Sequence, residues 1–477
     1  MEQDAAMKSE TSTATEPAQT ADQDGRFPPQ IKFIIGNEAC ERFSYYGMLG
    51  ILELYLLNRM GMGEDGATEV LHLFATAVYF LPLVGGWLAD RWLGRYWTIL
   101  SISLFYCLGH GTLALFEGSR AGLYTGLALI AIGAGGIKPC VSAFVGDQFG
   151  PNQERALTKV YGWFYWAINF GAAFGFFVIP LVRQKAGYSW AFGVPGIFMG
   201  LATLVFWLGR KHYVRQPPSR HQKQAGFLPV VWYALSHGKE RKTGESFVDA
   251  ALTRFTRQEV EGAKAVLGIL TVFATVPVFW ALFNQVNSTW VVQGKNMTPF
   301  HVLDGETMQS AGAVLVMIWV PVLTLGVYPL LERLGVQPTP LRRMSAGMVL
   351  GGVSFVISGL IQSHLDKGET LTIAWQLAPY IVLEAGEVMV SATALEFAFA
   401  QSPPAMKSIV MSFWLMTISL GHFLIALFTN LNAKFVHAEG AAEFYFYAVL
   451  MFVAAGVFIF CAVRYRERRI ETNRQTG

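Results

Sequence analysis

The sequence predicts an all-α membrane protein of 12 transmembrane helices. Composition is the first sign: the 477 residues are 53% hydrophobic and 14% charged, against about 25% charged in average soluble proteins. The second is the grouping of the apolar residues into 12 stretches, most of them as long as the roughly 20 residues a bilayer crossing takes. The third is a polar, basic gap over 211–261 that divides these stretches six and six.

Taken in order, residues 1–30 form a polar tail rich in Ser, Thr, Ala, Gln and Asp. It lacks the basic start and apolar centre of a secretory signal, so a disordered cytoplasmic tail is expected. Apolar spans follow at 31–58, 68–92, 96–117, 121–146, 155–182 and 190–210, an N-terminal six-helix bundle over 31–210. The central loop 211–261 carries Pro217, Pro218 and the run from Lys239 to Lys242, and reads as a solvated cytoplasmic linker with room for a short amphipathic helix near 247–260. Spans resume at 262–292, 306–334, 341–362, 372–401, 406–431 and 442–464, a C-terminal bundle over 262–465, before a tail at 466–477. With both termini in the cytoplasm, Arg91, Arg95, Arg333, Arg342, Arg343 and Arg464 all fall inside, as the positive-inside rule requires.

Composition also excludes. A formal charge of +3 gives no bulk attraction to nucleic acid. Cys40, Cys107, Cys140 and Cys461 sit in apolar stretches with no CxxC and no zinc spacing, so they read as buried thiols. No nucleophile elbow and no H-E-x-x-H is present. Neither an enzyme nor a bound cofactor or metal is expected.

The first span is the least suited to lipid. Glu38, Glu41, Arg42, Tyr45 and Tyr46 fall at i, i+3, i+4, i+7 and i+8, so they share one helical face. An ionised side chain near the bilayer centre costs ~2.5–3.5 kcal/mol to insert. Three such groups must face one another, other helices or a watery cavity. An internal Glu–Arg pair lowers the cost, and a cavity would let the carboxylates titrate and Arg42 bind an anion. In the second span His72 and Tyr79, two turns apart, project from one face. A histidine there suits proton relay as well as simple packing. Lys138 lies in an apolar span behind Gly133, Gly135 and Gly136, and the Glu38/Glu41 cluster would supply its partner. Asn169 in the fifth span offers both donor and acceptor.

Several stretches resemble one known family. Glu38-Ala-Cys-Glu41-Arg42-Phe43-Ser-Tyr45-Tyr46-Gly47 is similar to the first-helix motif of the proton-dependent oligopeptide transporters, a branch of the major facilitator superfamily. Gly133-Ala-Gly-Gly-Ile-Lys138-Pro139 with Phe144-Val-Gly-Asp147-Gln-Phe149 resembles the family signature closely, and Phe164-Tyr-Trp-Ala-Ile-Asn169 continues it. Gly86-Trp-Leu-Ala-Asp90-Arg91-Trp-Leu-Gly94-Arg95 resembles the superfamily's cytoplasmic loop, and Gln401-Ser-Pro-Pro-Ala-Met406-Lys407-Ser408 a family loop. Phe279-Trp280-Ala-Leu-Phe-Asn284-Gln285 and Gln309-Ser-Ala-Gly312 follow the pattern, except that Asn284 stands where an acid is usual and Gly312 where an Asn is usual.

The resemblance implies a major facilitator fold of two six-helix bundles and a proton-coupled symporter that imports di- and tripeptides by alternating access. Another small solute, such as nitrate, an amino acid or a drug-like zwitterion, is the alternative. It implies proton coupling by Glu38, Glu41, Arg42 and His72. Substrate binding would fall to Arg42, Tyr46, Tyr79, Lys138, Asn169, Trp280 and Glu396, with Glu396 taking the peptide's amino end. Gating would fall to Asp90, Arg91, Arg95 and Lys407. Its partners would be small peptides, protons and the lipid bilayer, with no obligate protein partner, and its place the plasma (inner) membrane.

Overall fold

A computed structural model describes residues 27–149, 154–216, 218, 226–237, 246–403, 406–431 and 439–465. Most of the expected tails, positions 217, 219–225 and 238–245 of the central loop, and the side chains of Asp90 and Lys407 lie outside the described residues.

The chain is helical, and among the described residues strand pairing is limited to isolated bridges, Thr298 with Thr372 and Phe300 with Leu303. Helix α1 covers Ile31–Asn58. The next span is α2 (Glu64–Phe80) and α3 (Pro82–Leu88), joined at Leu81 and ending in a π turn at Ala89–Leu93. Helices α4 (Arg95–Leu115), α5 (Arg120–Gly146) and α6 (Glu154–Leu208) complete the first half. Gly187 has φ 83°, a left-handed conformation that suits glycine, and it breaks α6 into two helices that meet at a kink.

The second half begins earlier than the sequence suggests. A short helix, α7 (Phe227–Ser236), and a 3-10 turn at Phe247–Thr253 precede α8 (Arg257–Phe273). Phe227, Val230, Ala234, Val248 and Ala251 bury themselves against α8. The linker is therefore partly packed, and the short helix lies ahead of the expected 247–260 stretch. Then come α9 (Val276–Phe283), α10 (Thr289–Lys295), α11 (Ser310–Pro321) and α12 (Tyr328–Arg333). Four long helices finish the chain: α13 (Pro340–Asp366), α14 (Leu377–Gln401), α15 (Lys407–Leu431) and α16 (Ala441–Arg464).

Eight helices among the described residues are long and apolar enough to cross a membrane, and the bent pair Arg257–Phe273 with Val276–Lys295 makes a ninth. One of the eight, Val160–Lys211, is 52 residues long, enough for two crossings at ~1.5 Å per residue. With α6 counted twice and α1 and α14 added, the twelve expected spans are present. This is an integral membrane protein. Its buried apolar residues fall into two main clusters, one drawn from residues 31–213 and one from 227–458.

Candidate functional site

The acidic face of α1 is held against α6 by glycine. A Cβ at Gly171 would stand 2.9 Å from the Cβ of Arg42, and one at Gly175 would stand 2.6 Å from the Phe43 carbonyl oxygen. Only bare backbone lets the two helices come so close. The contact seals Glu38, Glu41 and Arg42 in the interior, at 4%, 0% and 6% exposure. Arg42 Nε lies 3.0 Å from Glu38 Oε1, one helical turn back, and Arg42 Nη2 pairs with Glu41. Two carboxylates thus share one guanidinium. Burial of such a triad is costly, and Glu41 Oε1 has no hydrogen-bond partner.

Lys138 of α5 enters the same cluster, though not as the expected ion pair. Its Nζ rests 4.2 Å from the centre of the Tyr45 ring and 4.1 Å from that of Tyr79. The ammonium is held between two aromatic faces and makes no hydrogen bond, while Glu38, Glu41 and Arg42 act on it electrostatically. Tyr46 is in hydrogen-bonding contact with Tyr79. Three donors and two cations therefore converge beside α1, with one cation unoccupied.

His72 is fully buried. Its Nε2 lies 2.9 Å from Ser288 Oγ and its Nδ1 lies 2.8 Å from His422 Nδ1. Asn169 spends its amide on its own helix, donating to the Tyr165 carbonyl at 3.0 Å. Trp280 packs against Phe283 and Trp414, with its buried Nε1 unpartnered. Asn284 turns back on its helix, its amide donating to the Trp280 carbonyl at 2.8 Å.

Glu396 lies apart from these groups. Its side chain is 56% exposed and pairs with Arg343 at 3.1 Å, away from the cluster on α1. The reason is helical geometry: nine residues carry the chain ~13 Å along its axis, from the middle of α14 to its end. The acids that do reach the interior from α14 are Glu384 and Glu387. Glu384 is 2% exposed, and Glu387 Oε2 is buried without a partner. Glu387 acts electrostatically on both Tyr46 and Tyr165, which places it across from the α1 cluster. No local signal in the sequence singles out Glu384, because phase alone distinguishes the acids of this helix and says nothing of their depth.

At the end of the molecule bearing the N-terminus, Arg95 Nη1 meets Asp147 Oδ1 at 2.5 Å, tying the start of α4 to the end of α5. Gly94 makes that turn with φ 74°. Arg91 is exposed. At the opposite end a second set of contacts joins the two halves, and nothing in the sequence marked it. Arg183 Nη2 lies 2.6 Å from the buried Glu306 Oε2. Gln184 donates to Asp304 Oδ2 at 2.7 Å, and Gln309 to the Gly50 carbonyl at 3.0 Å. The signal was an Arg at the close of the fifth span and an acid at the opening of the eighth, too ordinary at membrane borders to stand out.

The model of the POT family matches residues 96–444. Among curated proteins, Solute carrier family 15 member 2 of Rattus norvegicus is 37% identical over 364 residues, covering 71% of this chain and 50% of that protein. Peptide transporter family 1 of Drosophila melanogaster is 37% identical over 362 residues, covering 72% and 48%. The chain thus spans about half the length of the curated relatives it matches. Among solved structures, an auto-inhibited POT family peptide transporter superposes with a TM-score of 0.87 at 40% identity, over 93% of this chain and 98% of that one. The POT family transporter PepTSo gives 0.88 at 38%, over 93% and 99%.

Proposed function

The chain belongs to the POT family, and on that premise we propose that it is a proton-coupled symporter importing di- and tripeptides by alternating access. The observation that carries this reading is the facing of two opposite charge sets in the interior. Arg42 and Lys138 stand on the first half, and Glu384 and Glu387 on the second. A zwitterionic peptide needs a cation for its carboxylate and an anion for its amino end. Arg42 and Lys138 serve the former, and Glu387, with Glu384 beside it, serves the latter. Tyr46, Tyr79, Asn169 and Trp280 line and orient the backbone between them. A small anion such as nitrate would find those two acids repulsive.

Coupling follows from the triad on α1. Arg42 is engaged by Glu38 and Glu41. Protonating a carboxyl of this triad, Glu41 above all, frees guanidinium nitrogen for the peptide carboxylate, and deprotonation restores the pair and expels the substrate. The halves are tied at the far end by Arg183 with Glu306. With both termini in the cytoplasm of a plasma (inner) membrane, that end is the outer gate and the molecule faces inward. Arg91 and Arg95, with Asp90 of the first loop motif and Lys407 of the second, belong to the inner gate.

The test is uptake of a labelled dipeptide into proteoliposomes under an inward proton gradient. Accumulation abolished by a proton ionophore is the expected result. Equilibration that ignores the gradient refutes the coupling, and absence of uptake by folded protein refutes the substrate class.

A further inference from the structure

Two histidines from opposite halves of the molecule meet in its interior. His72 on α2 and His422 on α15 are 0% and 2% exposed, and their Nδ1 atoms lie 2.8 Å apart. Two ring nitrogens at that distance need one hydrogen between them, carried by one ring and accepted by the lone pair of the other. The contacts of the pair among the described residues include a hydroxyl, an aromatic ring and a cation. Ser288 Oγ meets His72 Nε2 at 2.9 Å and donates or accepts as the ring requires. Tyr79 stacks on His422, centroids 5.6 Å apart and planes 18° from parallel. Lys138 lies over that same Tyr79 ring and acts on His422 electrostatically. Beside the pair, Ser419 of α15 donates to the Thr76 carbonyl of α2 at 2.9 Å. Among the described residues, no carboxylate bonds to either ring.

We infer that His72 and His422 form one shared proton-binding site across the two halves, holding a single extra proton as an imidazolium–imidazole bridge. The count follows from the nitrogens. The neutral pair carries two ring protons, one of them in the bridge. A third enters at the free Nε2 of the donating ring and leaves the bridge whole. If that ring is His72, the new N–H points at Ser288 Oγ. A fourth puts hydrogens on both Nδ1 atoms and breaks the bridge. The capacity is therefore one proton for two histidines. The protonated bridge is charge-assisted and roughly twice as strong as the neutral one, so proton binding tightens α2 against α15. Where the halves separate, each ring meets water and returns to ordinary imidazole behaviour, with a pKa of about 6.5. The pair then loads when the halves are open and locks its proton in when they close. Lys138, one ring away, opposes the bound proton and favours its release. This role in transport rests on the proposed proton coupling, but the proton count does not.

The count is tested by potentiometric titration of the purified full-length chain from pH 8 to pH 4, comparing wild type with His72→Phe, His422→Phe and the double variant. Phenylalanine keeps the ring packing against Tyr79 and offers neither donor nor acceptor. The expected result is that each single variant takes up as many protons per chain as wild type, its one remaining histidine taking the single proton, and that the double variant takes up one fewer. A loss of two in the double variant means independent histidines and overturns the proposal, as does no loss at all. A second measurement needs no variant. In the 15N-histidine-labelled wild type, a scalar coupling between the two Nδ1 nuclei across the N–H···N bridge is expected, persisting as the pair takes up its proton, and its absence overturns the bridge. Neither measurement involves substrate. A wild-type chain that moves no dipeptide would overturn the transport reading and leave the dyad to be decided by these two results.

Discussion

The Glu384 carboxylate occupies the space that a side chain at residue 312 would need. A Cβ built on Gly312 stands 2.6 Å from Glu384 Oε1. The two residues come from α11 and α14, so the absence of a side chain on one helix is what lets a buried acid on the other reach the interior. Gly312→Ala should displace the carboxylate rather than the backbone, because the obstructing atom is the end of a side chain with free torsions. The expected cost in stability is at the low end of the ~1–3 kcal/mol typical of overpacking, while the KM for dipeptide rises several-fold. Counterflow kinetics together with thermal unfolding check this. An unchanged KM would remove Glu384 from the substrate's surroundings.

Gly175 presents the opposite case, where nothing can give way. A Cβ there would stand 2.6 Å from the Phe43 carbonyl oxygen and 2.9 Å from the Gly47 amide nitrogen. Both are backbone atoms of α1. Gly175→Ala should therefore push α1 from α6 and lower stability by ~1–3 kcal/mol, more than Gly312→Ala does. It should also loosen the seal over Glu41 although it alters no charge. Unfolding temperatures of the two variants, measured side by side in one detergent, give the order.

The residues named above differ in how far the sequence could announce them. Glu38 and Arg42 were legible because the helical repeat puts i and i+4 together whatever the tertiary fold, and the structure pairs them so, whereas the contact of Arg42 with its chain neighbour Glu41 does not follow from that repeat. The number of spans was legible because a bilayer imposes length. Contacts between distant spans were not. His422 is one histidine in an apolar stretch, and nothing local states that it meets His72 across the interface. Glu396 and Glu387 sit on one helix, and phase alone could not say that one ends at Arg343 while the other faces Tyr46 and Tyr165. Helix α7 escaped notice because ten residues are too few to register as a span. The position of Lys138 in an apolar span shows that it needs a partner, but not that two tyrosine rings would flank its ammonium where a carboxylate is expected.

Arg183 and Glu306 make a pair, buried at the carboxylate and part-exposed at the guanidinium, whose halves belong to different bundles. Removing one partner leaves the other without compensation, which typically costs 3–5 kcal/mol, whereas replacing both with apolar groups restores much of the loss. Arg183→Met should thus destabilise the observed closed arrangement of the far end more than Arg183→Met combined with Glu306→Leu. Spin labels on the far ends of α1 and α10 would report it. The single variant should shift the distance distribution towards longer separations, and the double variant should shift it less.

Outside the membrane, Asp249 gives a pH dependence whose sign is fixed. The Lys264 ammonium, 2.6 Å from its carboxylate, holds Asp249 below the usual carboxylate range. A carboxyl lowered on folding stabilises the fold above its unfolded pKa, about 3.9, and that stabilisation is lost as pH falls through the folded value. Asp249→Asn should lower the unfolding temperature at pH 7, and the gap from wild type should close in acid below about pH 3.9. A gap constant with pH would assign the effect to the capping of the 3-10 turn at Ser246 instead.

The two carboxylates on Arg42 are not equivalent, and the difference predicts which one sets the coupling. Glu38 sits one turn back on α1 and touches Arg42 Nε, whereas Glu41 is fully buried, engages the end of the guanidinium, and has its second oxygen unpartnered. Neutralising Glu41 frees the nitrogen that would meet a substrate carboxylate. Glu41→Gln should therefore bind dipeptide without a proton. Exchange across the membrane should continue at all pH values, while proton-driven accumulation falls by at least tenfold, the ~1.4 kcal/mol that one lost charge-assisted hydrogen bond readily supplies. Glu38→Gln should leave Glu41 on the guanidinium and keep a pH dependence of uptake, weakened but present. Uptake by Glu41→Gln that remains both gradient-driven and pH-dependent would move the coupling proton elsewhere in the molecule, with the His72–His422 pair the first place to look.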